Sequence, residues 1–133
     1  MIKKILTKSS KILVNEAKKQ ISNLTAKEAL ILHQDKRFLF IDLRDIRELE
    51  KTGKISNAKH VPRGMLEFWI DPESPYYKPY FSDNHKYVFY CASGWRSALS
   101  TLTVKQMGLK NVSHIEGGFN AWKNIGGSIE KLN

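Results

Sequence analysis

The sequence predicts an α/β domain with a mostly parallel central sheet that is flanked by helices on both faces. Two short runs dominated by apolar residues, 38–41 and 86–90, have the continuous hydrophobicity that is typical of strands covered on both sides. After each run, the apolar residues adopt the spacing of a helix. Alternation of buried strands and helices indicates a parallel sheet. With 133 residues, the chain is long enough to bury the core of one such domain.

The other elements follow from helix caps, turn residues and short apolar stretches. In chain order, we predict a helix capped by Ser9 or Ser10 and ending near Lys18, a helix starting at a Thr25–Glu28 capping box, a strand over 38–41, a helix over 46–51, a strand over 58–61, a strand over 86–90, a helix over 97–108, a strand over 111–115 and a final helix ending at 126–127. Residues 1–20 are assigned to an N-terminal helical extension, and residues 21–133 to the domain itself.

The segment 65–81 combines many aromatic residues with Pro72, Pro75 and Pro79. Prolines this close together exclude one long helix, and so many aromatic side chains argue against disorder. We therefore expect an ordered loop that packs on the domain. Its rings could form a satellite of the core or one wall of a crevice at the sheet, and the sequence leaves both interpretations open.

Composition sets the broad class of protein. The chain has 22 Lys and Arg against 13 Asp and Glu, a formal net charge of +9 that favours anionic partners in general. Its lysines are scattered and no nucleic-acid motif is present, so no specific nucleic-acid partner is expected. One cysteine allows no intramolecular disulfide, and no Cys/His cluster suggests a metal. No apolar stretch approaches the roughly 20 residues that span a bilayer, so we expect no membrane partner and a cytoplasmic location.

The only cysteine, Cys91, lies where strand periodicity changes to helix periodicity. It is followed after a short loop by Arg96, and a loop at the carboxyl end of a strand is where open α/β sheets bind ligands. Backbone N–H groups at the start of a helix, with a guanidinium nearby, favour the thiolate, which is the reactive form of cysteine. Cys91 is therefore a candidate nucleophile.

The loop after Cys91 is suited to surround an anion or a sulfur atom bound to the cysteine. Gly94 and its small neighbours allow the backbone to curl until successive N–H groups point inward. The predicted substrate-binding residues of the loop are Ala92, Ser93, Gly94, Trp95 and Arg96. A lone cysteine that ends an apolar strand is also a common core residue, but the whole combination of strand, cysteine, small loop, arginine and helix favours function.

Three more residues, Asp42, Arg44 and Arg63, are predicted to bind substrate because they follow strands that end at the same edge of the sheet. Each has a structural alternative. Asp42 could cap the helix over 46–51, Arg44 could form a surface ion pair, and Arg63 could be a solvated loop residue. The histidines are assigned structural places, with His33 at a helix end and His60 and His114 in strands.

Two of these segments resemble parts of the rhodanese family. The sequence Cys-Ala-Ser-Gly-Trp-Arg over 91–96 resembles the active-site loop of rhodanese-type sulfurtransferases, in which a cysteine carries a persulfide. The sequence from Asp42 through Arg44 and Glu48 to Ala58 is similar to the family pattern Asp-x-Arg, then Glu, then Gly-His-Ile-Pro-Gly-Ala. It departs from that pattern at Lys54, where the family has His, and at 56–57, where Ser-Asn replaces Pro-Gly.

A third segment, Glu-Gly-Gly-Phe-Asn-Ala-Trp over 116–122, resembles the closing part of rhodanese domains. In total the resemblance covers about residues 21–130 and implies a rhodanese-like domain with sulfurtransferase activity. Cys91 would take a sulfane sulfur from a small donor, hold it as a persulfide and pass it to an acceptor, without a metal or other cofactor. Since the chain has no second cysteine, the acceptor is expected to be cyanide, a small thiol or a protein thiol.

The identity of residue 92 narrows the expected donor. Many thiosulfate-using members of the family carry a cation directly after the cysteine, whereas this chain has Ala92. We therefore predict better transfer from a persulfide than from thiosulfate.

Two rival functions stay open. A cysteine phosphatase or arsenate reductase also uses a thiolate and an arginine, although its motif is Cys-x5-Arg and four residues separate Cys91 from Arg96 here. A non-catalytic binding module is the other.

Overall fold

The computed structural model describes residues 2–82 and 84–132, which fold around a five-stranded parallel sheet with the strand order β1-β6-β5-β2-β4. The strands are β1 Ser22–Leu24, β2 Phe38–Asp42, β3 Lys54–Ile55, β4 Lys59–His60, β5 Lys86–Tyr90, β6 Val112–Ile115 and β7 Ile129–Glu130. The helices are α1 Ser10–Lys18, α2 Ala26–Leu32, α3 Ile46–Thr52, α4 Leu66–Ile70, α5 Trp95–Gln106 and α6 Gly118–Asn124. Strands β3 and β7 form a separate antiparallel pair.

The two central strands, β2 and β5, present alternate residues to two different layers of the core. Phe40, Val88 and Tyr90 pack with residues of α2 and α6. Ile41 and Phe89 pack on the opposite face. Because side chains in a strand alternate between faces, helices or loops must cover both sides. The predicted α/β fold with a mostly parallel sheet is confirmed.

Helix caps determine where the chain enters α2 and α3. The predicted capping box at Thr25 and Glu28 is present in both directions. At α3 the cap is Asp45, whose side chain accepts from the N–H of Arg47, while Glu48 reaches back to the Asp45 N–H. The alternative role of Asp42 as the cap of this helix is therefore wrong. Asp42 is the last residue of β2, too early in the chain to cap α3.

The N-terminal helix packs against α5 rather than standing apart. Val14 and Ala17 form one buried cluster with Ala98. The predicted helical extension thus shares a core with the domain, and the boundary at residue 20 stays a prediction. Among the described residues, no helix is both long and apolar enough to cross a membrane.

The aromatic segment 65–81 forms α4 and a 3-10 turn, Pro79–Phe81, as expected of an ordered segment without a long helix. Leu66 and Phe81 are buried in the same cluster as Ile41 and Phe89. The segment therefore contributes to the core on the face of the sheet that carries Ile41 and Phe89. This agrees with the interpretation of its rings as part of the core.

Candidate active site

Cys91 follows β5 directly and lies at the bottom of the loop that leads into α5. Its side chain is almost wholly covered, with the residue 1% exposed. Sγ accepts hydrogen bonds from the backbone N–H groups of Gly94 and Ser97, at N–S distances of 3.2 and 3.4 Å. The loop therefore directs two amide protons at the sulfur, an arrangement that stabilises negative charge there.

A second loop, Gly117–Gly118 at the start of α6, holds the backbone of the first. The carbonyl oxygens of Cys91 and Ala92 accept from the N–H groups of Phe119 and Asn120 at 2.8 and 3.1 Å. Both glycines have positive φ, and a Cβ on Gly118 would lie against the Cys91 carbonyl oxygen and 2.8 Å from Ala92. These two bonds hold the start of the active loop against α6, and the Gly94 and Ser97 amides later in that loop reach Sγ.

Arg96, the second residue of α5, is held by a bidentate ion pair with Glu48 of α3. The two N–O distances are 2.8 and 3.0 Å. This pairing raises the pKa of Arg96 above its usual value and lowers that of Glu48. The Arg96 side chain keeps 41% of its surface exposed. It therefore supplies a fixed positive charge at the edge of the loop that an incoming anion can reach.

The rest of the predicted loop residues form the rim above the sulfur. Ser93 is exposed, Ala92 is partly buried, and Trp95 is 67% exposed. Gly94 is buried and has φ of +96°, a left-handed conformation that glycine adopts without strain. The structure thus brings all five of these residues together in one loop around Cys91.

Asp42 and Arg44 lie at the same sheet edge but are sealed inside the protein. Their side chains are 0% and 2% exposed and are joined by a 2.8 Å ion pair. Arg44 also donates to the Thr52 hydroxyl and the Gly53 carbonyl. The alternative of a surface ion pair for Arg44 is wrong, since its hydrogen bonds are buried. A direct contact of either residue with substrate stays a prediction.

Tyr90 completes this buried group next to the cysteine. Burial raises the pKa of its hydroxyl well above the usual range, and the neighbouring Asp42 carboxylate adds to the effect. The hydroxyl accepts the Ile55 N–H at 3.0 Å. The group therefore stabilises the strand end from which the active loop departs.

Arg63 begins the 3-10 turn after β4, as expected for a residue at this edge. Its guanidinium pairs with Glu67 at 2.8 Å, with about a third of each side chain exposed. An anion contact by Arg63 would compete with this partner, and it stays a prediction.

Ser97 and His114, which the sequence did not mark as chemical residues, also belong to the site. Ser97 contacts the cysteine, and His114 contacts Ser97. Ser97 Oγ lies 3.6 Å from Sγ, and the same oxygen lies 2.9 Å from Nδ1 of His114. Both residues are fully buried. His114 lies in β6 as predicted, but its ring faces the active loop. A serine in a helix and a histidine in a strand carry no local signal of such contact.

The arrangement of donors and positive charge around Cys91 favours a negatively charged sulfur atom. Cys91 can act as a nucleophile, and the two amide donors with the Arg96 charge would stabilise an anion at Sγ or on one atom attached to it. Within the ranges 2–82 and 84–132, no three His, Cys, Asp or Glu side chains converge as a metal site would require.

Comparison with known proteins gives one family match and several relatives. The model of the rhodanese-like domain matches residues 25–125. A Schizosaccharomyces pombe protein named "Putative thiosulfate sulfurtransferase, mitochondrial" is 33% identical over 95 residues, which are 66% of this chain and 65% of that protein. The chain thus spans just under two thirds of that relative.

The solved structures that share this architecture include the following two. A Rhodopseudomonas palustris protein of unknown function, described as a possible tyrosine phosphatase, is 48% identical with a TM-score of 0.93 over 98% of this chain and all of its own. The polysulfide-sulfur transferase homodimer of Wolinella succinogenes is 30% identical with a TM-score of 0.69, over 92% of this chain and 88% of its own.

Proposed function

Because the chain belongs to the rhodanese-like domain family, we propose that it is a sulfurtransferase that carries a sulfane sulfur on Cys91. The observation that carries this proposal is the pair of backbone N–H groups, from Gly94 and Ser97, that point at Sγ. A site with amide protons around a single sulfur suits a bound atom of sulfur, which needs little space and carries negative charge.

In the proposed reaction, the Cys91 thiolate attacks the outer sulfur of a persulfide donor. The Sγ–S bond forms as the donor S–S bond breaks, and the donor leaves as a thiolate. An acceptor nucleophile then attacks the outer sulfur of the Cys91 persulfide, and the cysteine returns as a thiolate. No electrons are gained or lost overall, because each step exchanges one bond to sulfane sulfur for another.

Arg96 and the rim residues would receive the donor. The guanidinium, held by Glu48, adds a positive charge beside the loop, and the exposed Trp95 gives the rim an apolar surface. Since Cys91 is the only cysteine, the acceptor is a separate molecule such as cyanide, a small thiol or a protein thiol. A protein acceptor would have to reach a deeply set sulfur with a protruding side chain.

The proposal predicts that incubation with a persulfide donor adds one sulfur atom to the protein. Intact-mass measurement should detect this gain, a reductant should reverse it, and Cys91→Ser should lack it. Ser97 and the loop amides remain in that variant, so it is matched in everything except the nucleophile. A folded wild-type protein that gains no sulfur would contradict the proposal and would favour a non-catalytic binding module.

The donor preference is a separate prediction. Persulfide should exceed thiosulfate in kcat/KM, because Ala92 places no cation beside the attacked sulfur. Ala92→Lys should raise kcat/KM for thiosulfate about fivefold, as expected if one added charge near the surface contributes ~1 kcal/mol. Ala92→Gln is the uncharged control of similar length. A wild-type enzyme that prefers thiosulfate would overturn this prediction.

Phosphate-ester hydrolysis is the second candidate, favoured by the description of the Rhodopseudomonas palustris protein as a possible tyrosine phosphatase. The loop from Cys91 to Arg96 has one residue fewer than the phosphatase pattern, so fewer amides are available to surround a tetrahedral phosphate. Hydrolysis of an aryl phosphate that is lost in Cys91→Ser, with no sulfur loading in wild type, would reverse the ranking.

A further inference from the structure

A continuous series of hydrogen bonds leads from the cysteine to the protein surface. Cys91 Sγ contacts Ser97 Oγ at 3.6 Å, and Ser97 Oγ contacts His114 Nδ1 at 2.9 Å. On the other side of the ring, His114 Nε2 contacts Asn23 Oδ1 at 2.8 Å. Ser97 and His114 are fully buried, whereas Asn23 is exposed. The series joins α5 and β6 to Asn23 of β1, which is 91 positions from His114 in the sequence.

The direction of each bond follows from the fixed orientation of Asn23. Its amide nitrogen donates to two carbonyl oxygens, of Lys18 at 2.8 Å and Ile21 at 3.2 Å. The amide oxygen must therefore face His114, which places a proton on Nε2. In a neutral ring Nδ1 is then an acceptor. Ser97 donates its hydroxyl proton to Nδ1, and its oxygen lone pair accepts the thiol proton of Cys91.

We propose that Ser97 and His114 form a proton relay that takes up the Cys91 proton when the thiolate forms, with Asn23 fixing the ring in the required tautomer. The S–H proton moves to Ser97 Oγ as the Ser97 hydroxyl proton moves to His114 Nδ1. The products are a thiolate and an imidazolium, so protons and charge balance. In this state the serine hydroxyl donates to Sγ, and His114 Nδ1–H donates to the serine.

The burial of His114 and the charges near it disfavour the protonated ring, so the histidine would carry the Cys91 proton only transiently. The pKa of His114 is lowered to about 4, mainly by burial and also by the positive charge of Lys18, while Glu116 acts in the opposite direction. Lys18 and Glu116 form an ion pair at 3.4 Å, so their effects partly cancel. The imidazole ring of His114 is therefore neutral at pH 7, and its Nδ1 can accept a proton. The negative charge of the nearby Cys91 thiolate would stabilise the proton on the ring.

The relay deepens the proposed function, on whose assignment of Cys91 as nucleophile it rests, but it can be measured without a sulfur donor. Iodoacetamide reacts with the thiolate, so the alkylation rate as a function of pH reports how readily Cys91 loses its proton. Ser97→Ala and His114→Asn should each lower the rate at pH 7 about 100-fold, the low end expected for a positioned proton acceptor. Asn at 114 keeps a hydrogen-bond acceptor but cannot be protonated.

Two variants separate the relay from a general effect on folding. Ser97→Thr keeps the hydroxyl and should retain most of the wild-type rate. Ser100→Ala removes another buried serine of α5, whose hydroxyl donates to the Arg96 carbonyl, and should leave the pH profile unchanged. Superimposable profiles for wild type, Ser97→Ala and His114→Asn would overturn the relay.

The nitrogen NMR signals of His114 provide a second readout that a purely structural role would not move. At neutral pH in the thiol form, Nδ1 should give the shift of an unprotonated acceptor and Nε2 that of a protonated nitrogen. Blocking Cys91 by alkylation should change the Nδ1 signal. The opposite tautomer would contradict the relay. Sulfur loading with unchanged alkylation profiles would refute the relay alone, whereas altered profiles without sulfur loading would refute the proposed transfer.

Discussion

Gly118→Ala is expected to reduce the rate at which Cys91 is loaded with sulfur about 100-fold, although Gly118 lies 27 positions after the cysteine in the sequence. The added Cβ would meet the Cys91 carbonyl oxygen and would lie 2.8 Å from Ala92 carbonyl atoms. Backbone atoms cannot rotate away, so the active loop must move by a substantial part of an ångström. A shift of about 1 Å at a reacting group is enough for a loss of this size.

Gly126→Ala is the matched control for this substitution. Gly118 and Gly126 both have positive φ, +57° and +77°, so an alanine strains the backbone at either position. Apart from Gly126 and its two neighbours in the chain, no atom of the described residues lies within 4 Å of a Cβ at this position. This variant should therefore load sulfur at the wild-type rate. Equal loading by the two folded variants would show that the Gly117–Gly118 loop does not position Cys91.

The sequence was sufficient to predict the sheet and the active loop because both carry strong local signals. Within the runs that became β2 and β5, residues 38–41 and 87–90 are apolar without interruption, as strands covered on two faces require. The four residues between Cys91 and Arg96 are too few for anything except a tight connection. The smaller strands β1, β3 and β7 escaped prediction, since two or three residues are too short to show any periodicity. Strand β4, which is equally short, was predicted only as part of the longer run 58–61.

The contacts of His114 could not have been predicted from local sequence. Asn23 and His114 are 91 positions apart, and only the parallel pairing of β1 with β6 makes them neighbours. Ser97 meets the histidine because α5 packs beside β6. A chemical role that depends on the order of strands becomes visible only when the sheet is assembled.

Arg44 illustrates the same limit in a different way, because local sequence does not determine burial. Asp42–Arg44 and Asp35–Arg37 are both Asp-x-Arg pairs, and in each the aspartate accepts from the arginine backbone N–H and from its guanidinium. The first pair is buried, and the second has side chains that are 31% and 71% exposed. The two pairs look alike in sequence, yet their contributions to stability should differ greatly.

Asp42→Ala should therefore lower the free energy of unfolding by about 3–5 kcal/mol, because it leaves the buried Arg44 charge without its partner. The loss should appear as a lower urea midpoint in a chemical denaturation experiment. Asp35→Ala removes the equivalent carboxylate from the exposed pair and should move the midpoint little, since water solvates the arginine that remains.

If Asp42→Ala does not fold, the double variant Asp42→Leu/Arg44→Met still tests the explanation. Removing both charges leaves no buried ion to desolvate, so this variant should recover a large part of the lost stability. A midpoint for Asp42→Ala no lower than that for Asp35→Ala would show that the buried pair does not stabilise the strand end beneath Cys91. A double variant less stable than Asp42→Ala would assign the loss to packing and not to the unpaired charge.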